Sequence, residues 1–223
     1  MNRPTLVIGN YNYSSWSLRA WLVLRHGGVH FDTLRLPLDT PEFERRIGEY
    51  SPTRRVPVLH HDGLVVWDSL AIAEYVNDAL AGGALWPGDP AARAHARSAS
   101  AEMHSGFATL RARLPMNCRG RRRISRDVAL DREIGRVEAL WRECRARADA
   151  GPWLYGSFCI ADAMYAPVAS RFLTYGIEPS AAAADYMATV LADADYREWL
   201  TLGEAESEVI DDEEVGDAVA PAE

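Results

Sequence analysis

The stretch Tyr13-Ser14-Ser15-Trp16-Ser17-Leu18-Arg19 decides the fold because it joins a predicted strand to a predicted helix. It follows the apolar run 5–9, which favours a buried strand, and it opens an amphipathic segment that continues to about His26. The hydroxyl groups therefore gather where a helix presents unpaired N–H groups and the positive end of its dipole. Such a helix start favours a bound anion.

Residues 1–80 alternate between strand and helix patterns. After the strand at 5–9 and the helix at 15–26, the patterns predict strands at 31–36, 56–60 and 64–67, and helices at 41–50 and 68–80. Asp62-Gly63 between two apolar runs indicates a hairpin, and Asp68 stands where a helix N-cap is expected. Propensity and periodicity alone indicate an α/β domain.

The remaining chain has a helical pattern. The glycine- and proline-rich segment 81–90 is the predicted linker, and a C-terminal domain follows at 91–203. We expect helices at 91–114, 127–148, 160–175, 181–191 and 196–202, with the cluster Arg119–Arg123 in a solvated loop. Residues 204–223 are acidic and lack aromatic residues, so they are predicted to form a disordered tail.

Composition excludes several classes of function. The formal net charge is −8, but nine of the 32 acidic residues lie in 204–223, which leaves 23 acidic against 24 basic residues in the body. This balance predicts no nucleic-acid partner. No apolar run is long enough to span a membrane, and three scattered cysteines suggest neither disulfides nor a metal site. We therefore expect a cytoplasmic protein without a metal.

Two further motifs carry a family resemblance. Arg55-Val56-Pro57-Val58 and Asp68-Ser69-Leu70-Ala71 follow the serine-rich stretch in order. Together the three motifs resemble the glutathione transferase family, and Ser14-Ser15-Trp16-Ser17-Leu18-Arg19 is similar to the Ser-Ser-Cys-Ser-x-Arg string of its zeta class. The resemblance implies a thioredoxin-like N-terminal domain and an all-α C-terminal domain. Trp16 replaces the cysteine of that string, which removes a polar group beside the reacting sulfur.

The chemistry at the first helix depends on the absence of a cysteine. The chain has none before Cys118, so disulfide exchange at this position is excluded. The resemblance implies instead that Ser14 donates a hydrogen bond to the sulfur of bound glutathione and favours its thiolate. Ser15 is the alternative donor, Tyr11 or Tyr13 is a third option, and a plain helix cap is the structural alternative.

The resemblance also assigns residues to glutathione. It implies a cis Val56–Pro57 bond, with the backbone N–H and C=O of Val56 holding the cysteinyl part and Arg55 near the glycyl carboxylate. It places Asp68 and Ser69 at the α-amino and α-carboxylate groups, where the helix start also attracts the carboxylate. An ordinary edge-strand proline and a plain N-cap are the alternatives for Pro57 and Asp68.

The acceptor site is expected between the two domains. Helical spacing and the family resemblance point to Trp16, Met103, His104, Phe107 and Arg111. A packed or solvated residue is the alternative for His104, and core packing or a dimer contact is the alternative for Met103 and Phe107. The predicted function is a homodimeric, serine-type glutathione transferase that adds the thiolate to an electrophilic small molecule. A glutathione-dependent cis-trans isomerase, a non-catalytic binding protein and the use of a different small thiol stay open.

Overall fold

A four-stranded mixed sheet organises the N-terminal half. The structure is a computed structural model and describes residues 2–148 and 150–219. The strands are β1 (Thr5–Ile8), β2 (Asp32–Arg35), β3 (Val58–His61) and β4 (Leu64–Trp67), in the order β2-β1-β3-β4. β1 is parallel to β2 and antiparallel to β3, and β4 forms a hairpin with β3. This arrangement confirms the thioredoxin-like prediction.

Three helices cover this sheet. They are α1 (Ser15–His26), α2 (Pro41–Tyr50) and α3 (Ser69–Tyr75), and the last continues as a π-helical turn over Val76–Leu80. α1 is buried along almost its whole length, because it packs against α3 on one side and against C-terminal helices on the other. A helix enclosed in this way cannot show a clear polar face.

The described part of the C-terminal region has six helices: α4 (Pro90–Ser105), α5 (Ala108–Arg113), α6 (Val128–Arg145), α7 (Ile160–Thr174), α8 (Ala181–Ala192) and α9 (Ala194–Glu204). α7 is central and packs against α1, α4 and α8, so nearly all of its residues are buried. One hydrophobic core therefore runs from the sheet through α1 into the helical region. Within residues 2–148 and 150–219, no helix is both long and apolar enough to cross a membrane.

The single long helix predicted at 91–114 is wrong. The chain leaves helical geometry at Gly106 and passes through Phe107 in the left-handed region, at φ 57°. The N–H groups at the start of α5 are satisfied by a residue far along the chain, because the carboxylate of Glu133 on α6 accepts from the N–H groups of Thr109 and Leu110. Periodicity could not reveal a cap that another helix supplies.

The predicted disorder of 204–223 is also wrong for the part that the structure describes. Glu204 ends α9, residues 211–213 form a 3₁₀ turn, and β6 (Asp217–Ala218) pairs with β5 (Arg122–Arg123). The prediction that Arg119–Arg123 form a solvated loop is therefore wrong, because this loop pairs with the described part of the acidic tail. Opposite charges separated by some ninety residues meet in the fold, and residues 220–223 lie outside the described part.

We predict that Asp162→Ala will destabilise the protein strongly. The buried Asp162 carboxylate accepts from the N–H groups of Leu154 and Cys159, at 3.0 and 2.8 Å. Alanine would leave both donors buried without partners, so we expect a loss of about 3 kcal/mol in the free energy of unfolding. Urea denaturation measures this loss. The exposed Asp185→Ala on α8 is the matched control and should stay within about 0.5 kcal/mol of the unmodified protein.

Candidate active site

Two cavities meet at the start of α1, and both have Trp16, Arg55 and Val56 in their walls. The Pro57 cavity has a volume of about 460 Å³ and is completed by residues that include Pro57, Asp68, Ser69 and His104. The Ser14 cavity has a volume of about 380 Å³ and is completed by residues that include Ser14, Ser15, Arg111, Arg171 and Glu213. The predicted glutathione-binding residues and the two predicted serines thus line neighbouring cavities.

Ser14 caps α1 and belongs to a chain of hydroxyl groups. Its Oγ donates to Ser17 Oγ at 2.7 Å and accepts from the Ser17 N–H at 3.4 Å. Ser17 Oγ in turn accepts from the N–H of Gly9 at 3.2 Å. The predicted capping role is therefore real, and it leaves Ser14 Oγ in the wall of the cavity at the positive end of the helix dipole.

Ser15 is held from the other domain. Arg171 on α7 donates from Nη2 to Ser15 Oγ at 3.1 Å. Because that oxygen acts as the acceptor, its own proton is available for a ligand. Both serines are 6% exposed, so a ligand that reaches them leaves bulk water behind.

The two tyrosines that the sequence left open have other partners. Tyr13 OH donates to Glu214 at 2.5 Å and accepts from Arg119 at 2.9 Å. The Tyr11 ring packs edge-on against Trp199, with 4.6 Å between ring centroids. Burial and the charge of Glu206 raise the pKa of Tyr11, so its phenolate form is harder to populate. Tyr13 also lines the Ser14 cavity, but its hydroxyl proton is already donated to Glu214.

The Pro57 cavity contains unsatisfied polar groups. The Val56–Pro57 bond is cis, as predicted, and among the described residues neither the N–H nor the C=O of Val56 has a hydrogen-bond partner. Ser69 Oγ is buried and has no partner within the same described residues. Since a buried hydroxyl without a partner is costly, a polar ligand would stabilise this wall.

Asp68 has two roles in the same cavity. One carboxylate oxygen caps α3 by accepting from the N–H groups of Leu70 and Ala71. The other oxygen lies 3.1 Å from His104 Nε2 on α4, so the pair joins the two halves of the protein. The His104 ring also packs edge-on against Trp16 at 5.4 Å. The sequence placed both residues at the site but did not predict this contact.

Arginine side chains surround Trp16 and the start of α1. Arg19 lies 4.4 Å from the Trp16 ring and Arg111 lies 5.5 Å from it. Burial, followed by the charge of neighbouring arginines, lowers the pKa of Arg19 well below its ordinary value. Burial also lowers the pKa of Arg171 to about 10, so that group still carries its charge at neutral pH. The resulting field strongly favours an anion.

Arg171 of α7 lines the Ser14 cavity. It is 4% exposed, and its Nε and Nη1 have no hydrogen-bond partner among the described residues. Glu213 lies in the wall of the same cavity, and burial raises the pKa of its carboxyl group while Arg171 opposes the rise. No sequence signal pointed to Glu213, because its segment was expected to be disordered.

Two predicted acceptor residues lie elsewhere, so these assignments are corrected. Met103 is fully buried in the core, and Phe107 occupies the left-handed position between α4 and α5, where it also packs into the core. Helical spacing put them beside His104, but Met103 lies on the buried side of α4, and the break at Gly106 separates Phe107 from that helix. Pro115 and Met116, beyond α5, line the Ser14 cavity in their place.

The cysteines do not provide a second nucleophile. All three are buried, and burial raises the pKa of Cys118 to about 12 and that of Cys144 to about 11. Burial likewise raises the pKa of Cys159 well above its ordinary value. Thiols with raised pKa values are protonated at neutral pH and therefore inert.

One group of residues in the described chain has the spacing of a metal site, namely His26, Asp193 and Asp195. Their contacts have a structural explanation. Asp193 caps α9 through the N–H of Tyr196, and Asp195 pairs with Arg25 at 2.7 Å. An adjacent guanidinium competes with a cation for these carboxylates, so we assign no metal to them.

Comparisons with known proteins agree with this geometry. The family model described as "Glutathione S-transferase, N-terminal domain" matches residues 13–79. A probable maleylacetoacetate isomerase of Caenorhabditis elegans is 34% identical over 110 residues, which are 49% of this chain and 51% of the relative. The maleylacetoacetate isomerase of Rattus norvegicus is 31% identical over 107 residues, 47% of this chain and 50% of the relative. The chain thus spans about half the length of these curated relatives.

The fold comparison covers more of the chain. A glutathione transferase homologue from Burkholderia gl BGR1, solved with bound glutathione, superposes with a TM-score of 0.70. The superposition covers 92% of this chain and 100% of the other, at 24% sequence identity. The two proteins therefore share the complete two-part fold.

We predict that Arg171→Met will stabilise the protein. A buried guanidinium with two unpartnered nitrogens carries a desolvation cost, and methionine fills a similar volume without a charge. We expect the free energy of unfolding to rise by about 1–2 kcal/mol in urea denaturation. Arg132→Met, at an exposed position on α6, is the control and should change it by less than about 0.5 kcal/mol. A destabilised Arg171→Met would mean that the native arginine is better satisfied than its contacts indicate.

Proposed function

We propose that this chain, which belongs to the glutathione S-transferase family, binds glutathione in the Pro57 cavity and adds its sulfur to an anionic electrophile in the Ser14 cavity. The observation that carries the proposal is the position of the two serines, at the N-terminus of α1 and beside the buried Arg171. In this proposal the two serines face the sulfur of glutathione, and Arg171 faces the acceptor from the opposite side.

The Pro57 cavity has the polar groups that glutathione needs. The buried Ser69 hydroxyl and the start of α3 suit the α-carboxylate, while Asp68 suits the α-amino group. The backbone of Val56 offers one donor and one acceptor to the cysteinyl unit, and Arg55 lies at the shared edge for a second carboxylate. Since Asp68 also contacts His104, that histidine helps to hold the carboxylate in position.

The start of α1 would favour the thiolate. A free thiol has a pKa of about 8.5, so only a few per cent is ionised at neutral pH. A hydrogen bond from Ser14 to the sulfur and the helix dipole both stabilise the charged form. A combined lowering of about two pKa units corresponds to about 2.7 kcal/mol and makes the thiolate the main species. The Ser14 hydroxyl donates its proton to Ser17 Oγ, so this bond must be given up when Ser14 donates to the sulfur, while the Ser17 N–H still holds the Ser14 oxygen at the cavity wall.

The Ser14 cavity would select an anionic acceptor. Arg171 brings into a buried setting two nitrogens that have no partner in the part of the chain that the structure describes, and Arg111 is fixed there by bonds to the C=O groups of Met103 and His104 at the end of α4. Guanidinium groups bind carboxylates through two parallel hydrogen bonds. An acceptor with a carboxylate near its electrophilic carbon would satisfy Arg171 and lie close to Ser15.

We predict that Ser14→Ala will lower kcat/KM about 10²-fold at neutral pH, because the donor to the sulfur is lost. The midpoint of the pH profile of kcat/KM should rise, since the bound thiol then titrates closer to its free value. Ser15→Ala should shift the midpoint less and should weaken the use of anionic acceptors, because Ser15 orients Arg171. Steady-state kinetics between pH 5 and 9 measures both effects.

Ser98→Ala, at an exposed position on α4, is the control for these variants and should change neither quantity. If the midpoint moves in Ser15→Ala and stays in place in Ser14→Ala, the roles of the two serines are exchanged. An unchanged pH profile in both variants would refute activation of the thiol by serine.

A second candidate is a glutathione-dependent cis-trans isomerase. It is favoured by the two relatives named maleylacetoacetate isomerase and by the arginines that face the acceptor. The thiolate would add to a conjugated alkene, the former double bond would rotate, and the sulfur would leave again. The serines and arginines keep the same tasks in both reactions, so the active site serves either outcome.

Counting glutathione distinguishes the two candidates. With an anionic cis-alkene as acceptor, conjugation consumes one thiol for each acceptor molecule that disappears, whereas isomerisation leaves the thiol concentration constant. We expect loss of free thiol in step with the acceptor if the chain is a transferase. A thiol titration alongside the ultraviolet signal of the alkene measures both, and constant thiol with full conversion would identify the isomerase.

The homodimer and the cytoplasmic location stay predictions. The edge strand β4 supports the prediction of a homodimer, because its Leu64, Val65 and Trp67 side chains are 53%, 38% and 47% exposed. Apolar side chains on an unpaired sheet edge are a typical place for contact with a second subunit.

A further inference from the structure

We propose that Glu213 is a tethered counter-charge for Arg171 in the Ser14 cavity, and that an anionic acceptor must displace it in order to bind. Glu213 would then be a specificity-determining residue that sets how strongly the cavity selects anions. This inference rests on the proposed function, because it concerns the acceptor side of the same site.

The first support is that the two charges share a cavity without satisfying each other. Arg171 and Glu213 both line the Ser14 cavity, yet no ion pair within 4 Å joins them among the described residues. Arg171 keeps two buried nitrogens without partners. Glu213 is therefore close enough to lower the positive potential but leaves the hydrogen-bonding positions open for a ligand carboxylate.

The second support is the attachment of the segment that carries Glu213. The neighbouring Glu214 accepts from Tyr13 OH at 2.5 Å and from Asn117 Nδ2 at 2.9 Å, and it pairs with Arg122. Beyond it, β6 pairs with β5. These contacts fix the backbone next to Glu213 against the loop that leads to Ser14, so the carboxylate cannot drift far from the cavity.

A second anchor lies on the other side of the turn. The Glu206 side chain is 7% exposed, and its two oxygens accept from the N–H groups of Tyr11 and Asn12 at 2.9 and 3.0 Å. Gly203 on α9 allows this approach, because a Cβ there would lie 3.1 Å from the Asn12 nitrogen. The segment 206–214, which brings Glu213 to the cavity wall, is thus held at both ends.

Within the described residues, a hydrogen bond holds the backbone of Glu213 but none holds its side chain. Its backbone N–H bonds to the C=O of Ile210, but its carboxylate makes no hydrogen bond among the described residues. Displacement therefore needs only a change of rotamer at Glu213, while Glu206 and Glu214 keep the segment in place. An entering carboxylate would replace one negative charge by another and would gain the hydrogen bonds that Glu213 does not make.

The test compares binding of succinate, a simple dicarboxylate, to three proteins by calorimetry without any thiol. Glu213→Gln removes the counter-charge at nearly constant volume, and Asp211→Asn removes one charge from an exposed position of the same turn. We expect Glu213→Gln to lower the Kd for succinate about fivefold, as expected for losing one partly buried like charge. Asp211→Asn should leave the Kd unchanged, because an exposed charge is screened by solvent.

Equal or weaker binding by Glu213→Gln would overturn the inference, as would the same gain in Asp211→Asn or the absence of succinate binding in all three proteins. Kinetics with glutathione provides a second readout: the ratio of kcat/KM for an anionic acceptor to that for a neutral acceptor should rise about fivefold in Glu213→Gln. Because calorimetry needs no turnover, a chain that binds succinate as expected but never consumes or uses a thiol would refute the proposed function alone.

Discussion

The buried guanidinium of Arg19 connects α1 to α7, and the geometry of the site depends on that connection. Arg19 is fully buried, and it donates to the C=O of Met164 on α7 at 3.0 Å and to the C=O of Ser15 at 3.3 Å. A buried charge tolerates little displacement, because each lost hydrogen bond leaves it without compensation for the water it gave up. Arg19 therefore holds the start of α1 at a defined distance from α7, where Arg171 reaches Ser15.

Charge balance organises the surroundings of this connection. Arginines gather at the cavity walls and in the 119–123 loop, while carboxylates gather in the last described residues of the chain. Arg35 pairs with Glu206 and Glu208, and Arg122 pairs with Glu214. Arginines of the near-neutral body and carboxylates at the acidic end of the sequence thus meet in one interface. Within the cavity the charges are not fully paired, since two Arg171 nitrogens have no partner among residues 2–148 and 150–219, and the proposal of an anionic acceptor depends on this.

Much of the fold could be predicted from the sequence, because local sequence signals specify it. The Asp62-Gly63 hairpin, the Asp68 cap and the apolar periods of the N-terminal half predicted the order of strands and helices that the structure shows. The break at Gly106–Phe107 was missed because its compensation comes from Glu133, far along the chain. Phe107 was consequently placed on one continuous helical face with His104, whereas Met103 lies within α4 and packs into the core.

The sequence by itself determined which chemistry is available: two serines at a helix start, no cysteine nearby, a Val-Pro pair, and arginine as the only permanently charged basic side chain. These are properties of residue types and short spacings, which local physics controls. The tertiary structure alone decided which of these groups meet. Arg171, Glu213 and Ser15 converge because α7 and the acidic segment fold back onto α1, and contacts between residues so distant in the chain depend on the packing of the whole core rather than on any local pattern.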